Sequence, residues 1–417
     1  MNESVICQKA VLVSMVSSKN ELNACNASLD ELERLLNTAG GECFCKVIQV
    51  KDSYDPRTCL GSGKIAEISE VCKANGIDLV IFDFELSPSQ IRNLEEDIGV
   101  EVIDRTMLIL DIFALHAVSG EGKMQVELAQ LKYTSPRLIG KGTELSRQEG
   151  RIGSRGPGES KLESDRRYIK RRITAIEDAI KEMEKNRITM RSSRDRSGLP
   201  KIAIVGYTNA GKSTLLNYLT NAGVIAEDKL FATLDPTTRR LSLPEGETVL
   251  LTDTVGLIRN LPHHLIKAFK STLDEAAYSD ILMIVIDASD SEWEEQLNVT
   301  KTLLAELEAI DKPIIYVYNK CDRCEILPRN IDGNTVFISA KSGEGIDSLL
   351  STIENVARMG KLKLSLKIPY SESAKLNLLY NDATVETVEY LDDAISVSVI
   401  IEKSKVSAYE KYTVGVE

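Results

Sequence analysis

Histidine is scarce in this chain of 417 residues, with three copies, and that scarcity limits what its eight cysteines can do. Zinc sites of mixed thiolate and imidazole ligands need Cys and His clustered at short spacings. The two tight pairs, Cys43-x-Cys45 and Cys321-x-x-Cys324, lie far apart, with few histidines anywhere to complete a site. Nor does the chain have the cysteine density of a disulfide-stapled domain, so reduced thiols are expected. No apolar run approaches the roughly 20 residues of a membrane span, and no charged stretch leads into an apolar core as in a secretory leader. The expectation is a cytoplasmic globular protein. Repeats and low-complexity tracts are absent as well.

What is present is ample apolar material, 43% of residues, enough for two or three cores in a chain longer than one ordinary domain. The net charge of −12 argues against a surface that coats nucleic acid everywhere. The charge is uneven, however. Residues 132–196 carry 18 Lys and Arg against 10 Asp and Glu, so one stretch is strongly basic on an acidic body. A localised patch of this kind is the footprint of a protein that meets a polyanion at one place, although a solvated helix face has the same composition.

The most informative stretch is Gly206, Tyr207, Thr208, Asn209, Ala210, Gly211, Lys212 and Ser213, which fills every fixed position of the phosphate loop G-x-x-x-x-G-K-S/T. A strand-like run, Lys201 to Val205, precedes it, and an apolar-periodic helix opens at Thr214. Glycines at 206 and 211 let the backbone N–H groups turn inward toward an anion at a helix N-terminus. Lys212 then reaches the β- and γ-phosphates, and the Ser213 hydroxyl is placed for Mg2+. By contrast, Gly61-Ser-Gly63-Lys64 lacks the first glycine and has Ile65 at the hydroxyl position, so it reads as a helix-entry turn.

The nucleotide base is addressed by Asn319, Lys320, Cys321 and Asp322, an N-K-x-D motif after the strand-like run Pro313 to Tyr318. A carboxylate accepts from guanine N1–H and N2–H, a donor pair adenine lacks, so Asp322 selects GTP or GDP. An RNA-remodelling ATPase is thereby disfavoured. After the run Asn334 to Ile338 come Ser339, Ala340 and Lys341, whose backbone N–H groups are expected to meet guanine O6. Asp253, Thr254, Val255 and Gly256 form the D-x-x-G element: Asp253 is expected to hold Mg2+ through water and Gly256 N–H to touch the γ-phosphate. Between these motifs lies the candidate first switch, with Thr233, Thr237 and Thr238 competing as the second Mg2+ ligand. Leu257 stands where Ras-like enzymes place the water-orienting glutamine. A leucine side chain makes no hydrogen bond, so the catalytic group is unassigned and stimulation by a partner is expected.

With these motifs in place the chain resembles the HflX family of ribosome-associated GTPases over nearly its whole length. The resemblance also rests on Phe84-Glu-Leu-Ser-Pro-Ser-Gln-Ile-Arg-Asn-Leu94, Val102-Ile-Asp-Arg-Thr106, Leu110-Asp-Ile-Phe113, Gln125-Val-Glu-Leu-Ala-Gln-Leu131, Arg155-Gly-Pro-Gly-Glu159 and Leu162-Glu-Ser-Asp-Arg-Arg167. It implies that Phe231, Ala232, Thr233, Leu234 and Asp235 are the nucleotide element of the first switch, with Thr233 the Mg2+ ligand. It also implies association with the large (50S) ribosomal subunit and its rRNA, and splitting or rescue of ribosomes under stress. Gln148-Glu149-Gly150-Arg151 departs from the family's glycine run at a loop expected to touch the partner.

The expected architecture is α/β: a P-loop GTPase domain preceded by a β/α N-terminal domain and an antiparallel helical coiled-coil connector, with a small α+β C-terminal appendage. Residues 1–116 form the N-terminal domain with a mostly parallel sheet, and Ser28 with Glu31 reads as a capping box for a helix from Leu29. Residues 117–196 form the connector, in which Met124, Leu128 and Leu131, then Ile169, Ile173, Ile176, Ile180 and Met183, recur at heptad spacing. Its glycine-rich loop from Ile139 to Glu159 carries Arg147, Arg151 and Arg155, an expected RNA-contacting tip. Residues 197–360 form the GTPase domain and 361–417 the appendage. A monomer with no DNA partner and no membrane insertion is expected. The competing reading is a GTP-dependent protein-binding switch whose coiled coil is only a spacer.

Overall fold

The computed structural model describes residues 8–138, 157–195, 199–220, 230–231, 236–259, 275–328, 333–358, 361–402, 406 and 408–416. The chain divides into two compact units. One holds residues 1–183 together with 225–235 and 255–273, and the other holds 184–224, 236–254 and 274–417.

In the first unit, four parallel strands, β1 (Lys9–Val16), β2 (Glu42–Val50), β3 (Leu79–Phe82) and β4 (Glu101–Asp104), lie in the order β2-β1-β3-β4. Helices α1 (Leu22–Thr38), α2 (Ser62–Asn75) and α3 (Pro88–Ile98) connect them, as parallel pairing requires. β1 and β3 are almost wholly buried. The turn at Gly61 does open α2. Ser87 caps α3 and Gln90 bonds back to it, completing a capping box with Pro88 at the first turn.

The capping box expected at Ser28 and Glu31 does not form, because α1 starts at Leu22 and both residues lie within it. They are buried and face Arg105, at the start of α4 (Arg105–His116). The Arg105 guanidinium pairs with Glu31 and, at 2.8 Å, with Asp83, and donates to Ser28 Oγ at 3.3 Å. It also donates to the Arg259 carbonyl at 3.4 Å. The other segment that joins this unit from the GTPase region contributes Phe231, whose ring meets Phe113 edge to face with centroids 4.6 Å apart. Leu230 N–H donates to Thr38 Oγ1 at 3.3 Å.

The connector consists of α5 (Gly120–Leu138) and α6 (Pro157–Asp195). Arg172 forks onto Glu127 at 2.6 and 2.8 Å, and Lys132 pairs with Glu177 at 2.7 Å. The expected isoleucines lie on the sheltered face of α6, with Ile176 at 2% exposure. On α5 the deepest apolar positions are Val126 and Ala129 instead of Met124, Leu128 and Leu131. Arg147, Arg151 and Arg155 lie outside the described residues, as do Ala232, Thr233, Leu234 and Asp235.

The second unit has a six-stranded sheet in the order β10-β9-β8-β5-β7-β6. Its strands are β5 (Lys201–Gly206), β6 (Thr237–Ser242), β7 (Thr248–Asp253), β8 (Ile281–Asp287), β9 (Ile314–Asn319) and β10 (Thr335–Phe337). Only β6 runs antiparallel to its neighbour. Helices α7 (Lys212–Thr220), α8 (Trp293–Glu306) and α9 (Ile346–Arg358) belong with this sheet, and Leu215, Leu216, Leu349 and Ile353 join its core. The appendage is an antiparallel sheet, β12-β13-β11-β14, with a short helix α10 (Ala374–Asp382). Its strands are β11 (Lys361–Pro369), β12 (Ala383–Tyr390), β13 (Ala394–Glu402) and β14 (Thr413–Val416). Among the described residues no helix is long and apolar enough to cross a membrane.

Candidate nucleotide-binding site

Three motifs converge at the C-terminal edge of the parallel strands of the second unit, where open α/β sheets bind ligands. The phosphate loop leaves β5 at Gly206, whose φ of 149° and closeness to β8 exclude a side chain: a Cβ there would lie 2.2 Å from the Val285 carbonyl. The loop closes at Gly211, φ 96°, where a Cβ would lie 2.2 Å from Asn319 Nδ2. Each glycine is therefore fixed by what it approaches as well as by its turn.

Lys212 is buried, with Nζ donating to the carbonyls of Gly206 at 3.1 Å and Tyr207 at 2.7 Å. Burial pushes its ammonium down to about 8, against the opposing pull of Asp253. An anion placed in the loop would restore the charge. Ser213 Oγ donates to Asp253 Oδ2 at 2.6 Å, and Asp253 is fully buried. A hydroxyl and a carboxylate held together at the loop are hard oxygen donors that suit Mg2+. Thr254 is tied back to β5 by a 2.7 Å bond to the Ile204 carbonyl. Of the competing threonines, Thr238 shares a 3.0 Å hydroxyl bond with Thr252, and Thr237 pairs in register with Asp253.

Asn319 links the other two motifs. Its Nδ2 donates to the Ala210 carbonyl at 2.8 Å, and its Oδ1 accepts from Ala340 N–H at 2.9 Å. Lys320 takes a left-handed backbone, φ 63°, and its ammonium pairs with Asp287 at 2.7 Å. The Asp322 carboxyl is lowered from its ordinary value, first by the Ser339 hydroxyl, so it is an ionised acceptor at neutral pH. Cys321 donates to the Tyr318 carbonyl at 3.2 Å, and burial pushes its thiol up to about 11. It is a neutral packing residue. Ser339 N–H donates to the Glu344 carbonyl at 3.0 Å, so two of the three backbone donors expected for guanine O6 are already engaged within the protein.

Leu257 and Ile258, after the D-x-x-G element, are buried in the first unit at 3% and 0% exposure. Phe231, expected beside the nucleotide, is buried on Phe113 in that unit. The Arg105 cluster was not anticipated. A lone arginine between Val102-Ile103 and the apolar run Leu108 to Leu110 was the available signal, since an arginine in such surroundings needs acidic partners.

Family profiles match in chain order: one described as GTP-binding GTPase N-terminal over residues 26–114, one as GTP-binding GTPase Middle Region over 116–194, and one as 50S ribosome-binding GTPase over 201–320. The chain is similar to the GTPase HflX of Lacrimispora saccharolytica, at 49% identity over 94% of each chain. It is similar to the GTPase HflX of Escherichia coli K12 at 44% identity, over 89% of this chain and 88% of the relative. Among solved structures it resembles a GTP-binding protein from Sulfolobus solfataricus in complex with GDP, at 27% identity and a TM-score of 0.43, over 84% of this chain and 99% of that one. With relatives this close over nearly its full length, the chain belongs to the HflX family of GTPases.

Proposed function

We propose that this GTPase binds the large ribosomal subunit in its GTP state and, in a Mg2+-dependent cycle, splits or rescues ribosomes under stress. The observation that carries the nucleotide part is Asn319, which ties the phosphate loop at Ala210 to the base-side loop at Ala340 while Asp322 stays ionised beside it. Asp322 would accept from guanine N1–H and N2–H. The contact to O6 would fall to Lys341 N–H, because Ser339 and Ala340 are engaged. Lys212 would leave its two carbonyls for the β- and γ-phosphates. Ser213 would hold Mg2+ with Asp253 behind it, and Thr233 would be the second protein ligand. Bound there, Mg2+ would supply positive charge against the charge of the phosphate chain.

The ribosomal part is supported by the family, by the description of the matched GTPase profile, and by the basic stretch at residues 132–196 on an acidic chain. Arg147, Arg151 and Arg155 are proposed to contact rRNA phosphates. The test is sedimentation with purified 50S subunits, with GDP or a non-hydrolysable GTP analogue, across a salt series. GTP-state binding that weakens steeply with salt supports the proposal. Binding indifferent to both nucleotide and salt would favour the alternative, a protein-binding switch with the helices as spacer.

A further inference from the structure

The phosphate loop contains a buried hydroxyl to which nucleotide binding has so far given no role. Thr208 is 7% exposed, and its hydroxyl has no hydrogen-bond partner among the described residues. Buried hydroxyls are almost always satisfied, and leaving one unmade costs about 1–3 kcal/mol. A ligand oxygen at this place would remove that cost.

The loop's own bonds give it a direction. Its closing end, Ala210 and Gly211, lies against Asn319 and hence toward the base. Its opening end lies against the tip of Lys212, which bonds the Gly206 and Tyr207 carbonyls. That ammonium is the group that meets the β- and γ-phosphates, so Thr208, next after Tyr207, stands at the γ end. The Leu257 side chain has no polar group to offer the reaction.

We infer that the Thr208 hydroxyl is a catalytic residue of GTP hydrolysis, donating to a γ-phosphoryl oxygen and offering a lone pair to the attacking water. In the step itself the water oxygen forms a bond to Pγ, the bond from Pγ to the β–γ bridging oxygen breaks, and the water proton leaves with inorganic phosphate. Thr208 gains and loses nothing in the balance; it orients and stabilises. The inference rests on GTP lying in this loop, so GDP affinity is measured in the same experiment.

The test compares wild type, Thr208→Val and Thr208→Ser in the full chain, by single-turnover hydrolysis with and without 50S subunits and by GDP titration. Thr208→Val keeps the shape and removes the hydroxyl. It should lose roughly ten- to a hundredfold in turnover, as for one hydrogen bond to a charged group. Its GDP affinity should stay within about twofold, and its melting temperature without nucleotide should not fall, because no bond within the protein is removed. Thr208→Ser should recover most of the turnover. Wild-type turnover in Thr208→Val overturns the inference. So does a parallel loss of GDP affinity or melting temperature, which would make the hydroxyl a structural part of the loop. Failure of wild type to bind GDP would instead remove the nucleotide from this loop altogether.

Discussion

Asn319 makes the base loop and the phosphate loop depend on one side chain, through its bonds to Ala210 and Ala340, and Asp322 sits three residues further on. Replacing Asp322 by Asn keeps the volume and turns an acceptor into a partial donor. GTP affinity should drop at least about tenfold while xanthosine triphosphate, whose O2 accepts from the new amide, binds better. An unchanged preference in competition would remove Asp322 from the base site. Lys212 carries a pH dependence of definite sign. Its pKa is held at about 8 by burial, below the ordinary 10.5, so between these values the unfolded chain binds the extra proton and folded stability rises with pH. Phosphate binding needs the ammonium, so GDP affinity should run the other way, falling by about tenfold toward pH 9. A flat titration from about pH 7 to about pH 9 would show that the ammonium is not part of the phosphate site. These residues were legible in the sequence because phosphate and guanine recognition demand fixed residue types at fixed spacings. That the Thr208 hydroxyl has no partner among the described residues could not be read there, since it depends on atoms brought in by folding.

At the scale of elements, buried apolar strands were the readable part: β1, β3, β5 and β9 are runs of apolar residues bounded by turn chemistry. Three other strands are harder to read, for separate reasons. β6 is a polar antiparallel edge, Thr-Thr-Arg-Arg-Leu-Ser, and β14 is four residues long. β8 is a central run, Ile-Leu-Met-Ile-Val-Ile-Asp, with no nucleotide motif at its end to mark it, and an apolar run alone does not separate a strand from a buried helix. The start of α1 differs from the expectation because Ser28 and Glu31 have capping spacing, yet their side chains serve Arg105 across the domain. Local spacing cannot report a partner 77 residues away. Arg105→Ala would remove the guanidinium that Glu31 and Asp83 face in the buried cluster, a loss of about 3–5 kcal/mol. Denaturant unfolding of the full chain, followed in the N-terminal unit, checks this. A loss under about 1 kcal/mol would mean that water reaches the cluster.

At the scale of the whole molecule, the separation of charge was visible in composition, while the grouping of residues 225–235 and 255–273 with the N-terminal unit was not, because nothing in their spacing announces it. Charge reversal at Arg147, Arg151 and Arg155 should weaken binding to 50S subunits and leave GTP affinity unchanged. For every arginine–phosphate pairing removed, the log-affinity against log-salt slope should flatten by roughly 0.7 to 0.9. Unchanged particle affinity and slope would make the loop a linker and move the docking surface elsewhere. A GTPase that the ribosome completes is tested by the turnover of GTP by the full chain, alone and with saturating 50S subunits. With leucine in the glutamine position, turnover alone should lie far below the roughly 10 per second of a median enzyme and should rise several-fold or more with the particles. A fast rate that 50S subunits leave unchanged would mean that the chain hydrolyses GTP without the ribosome.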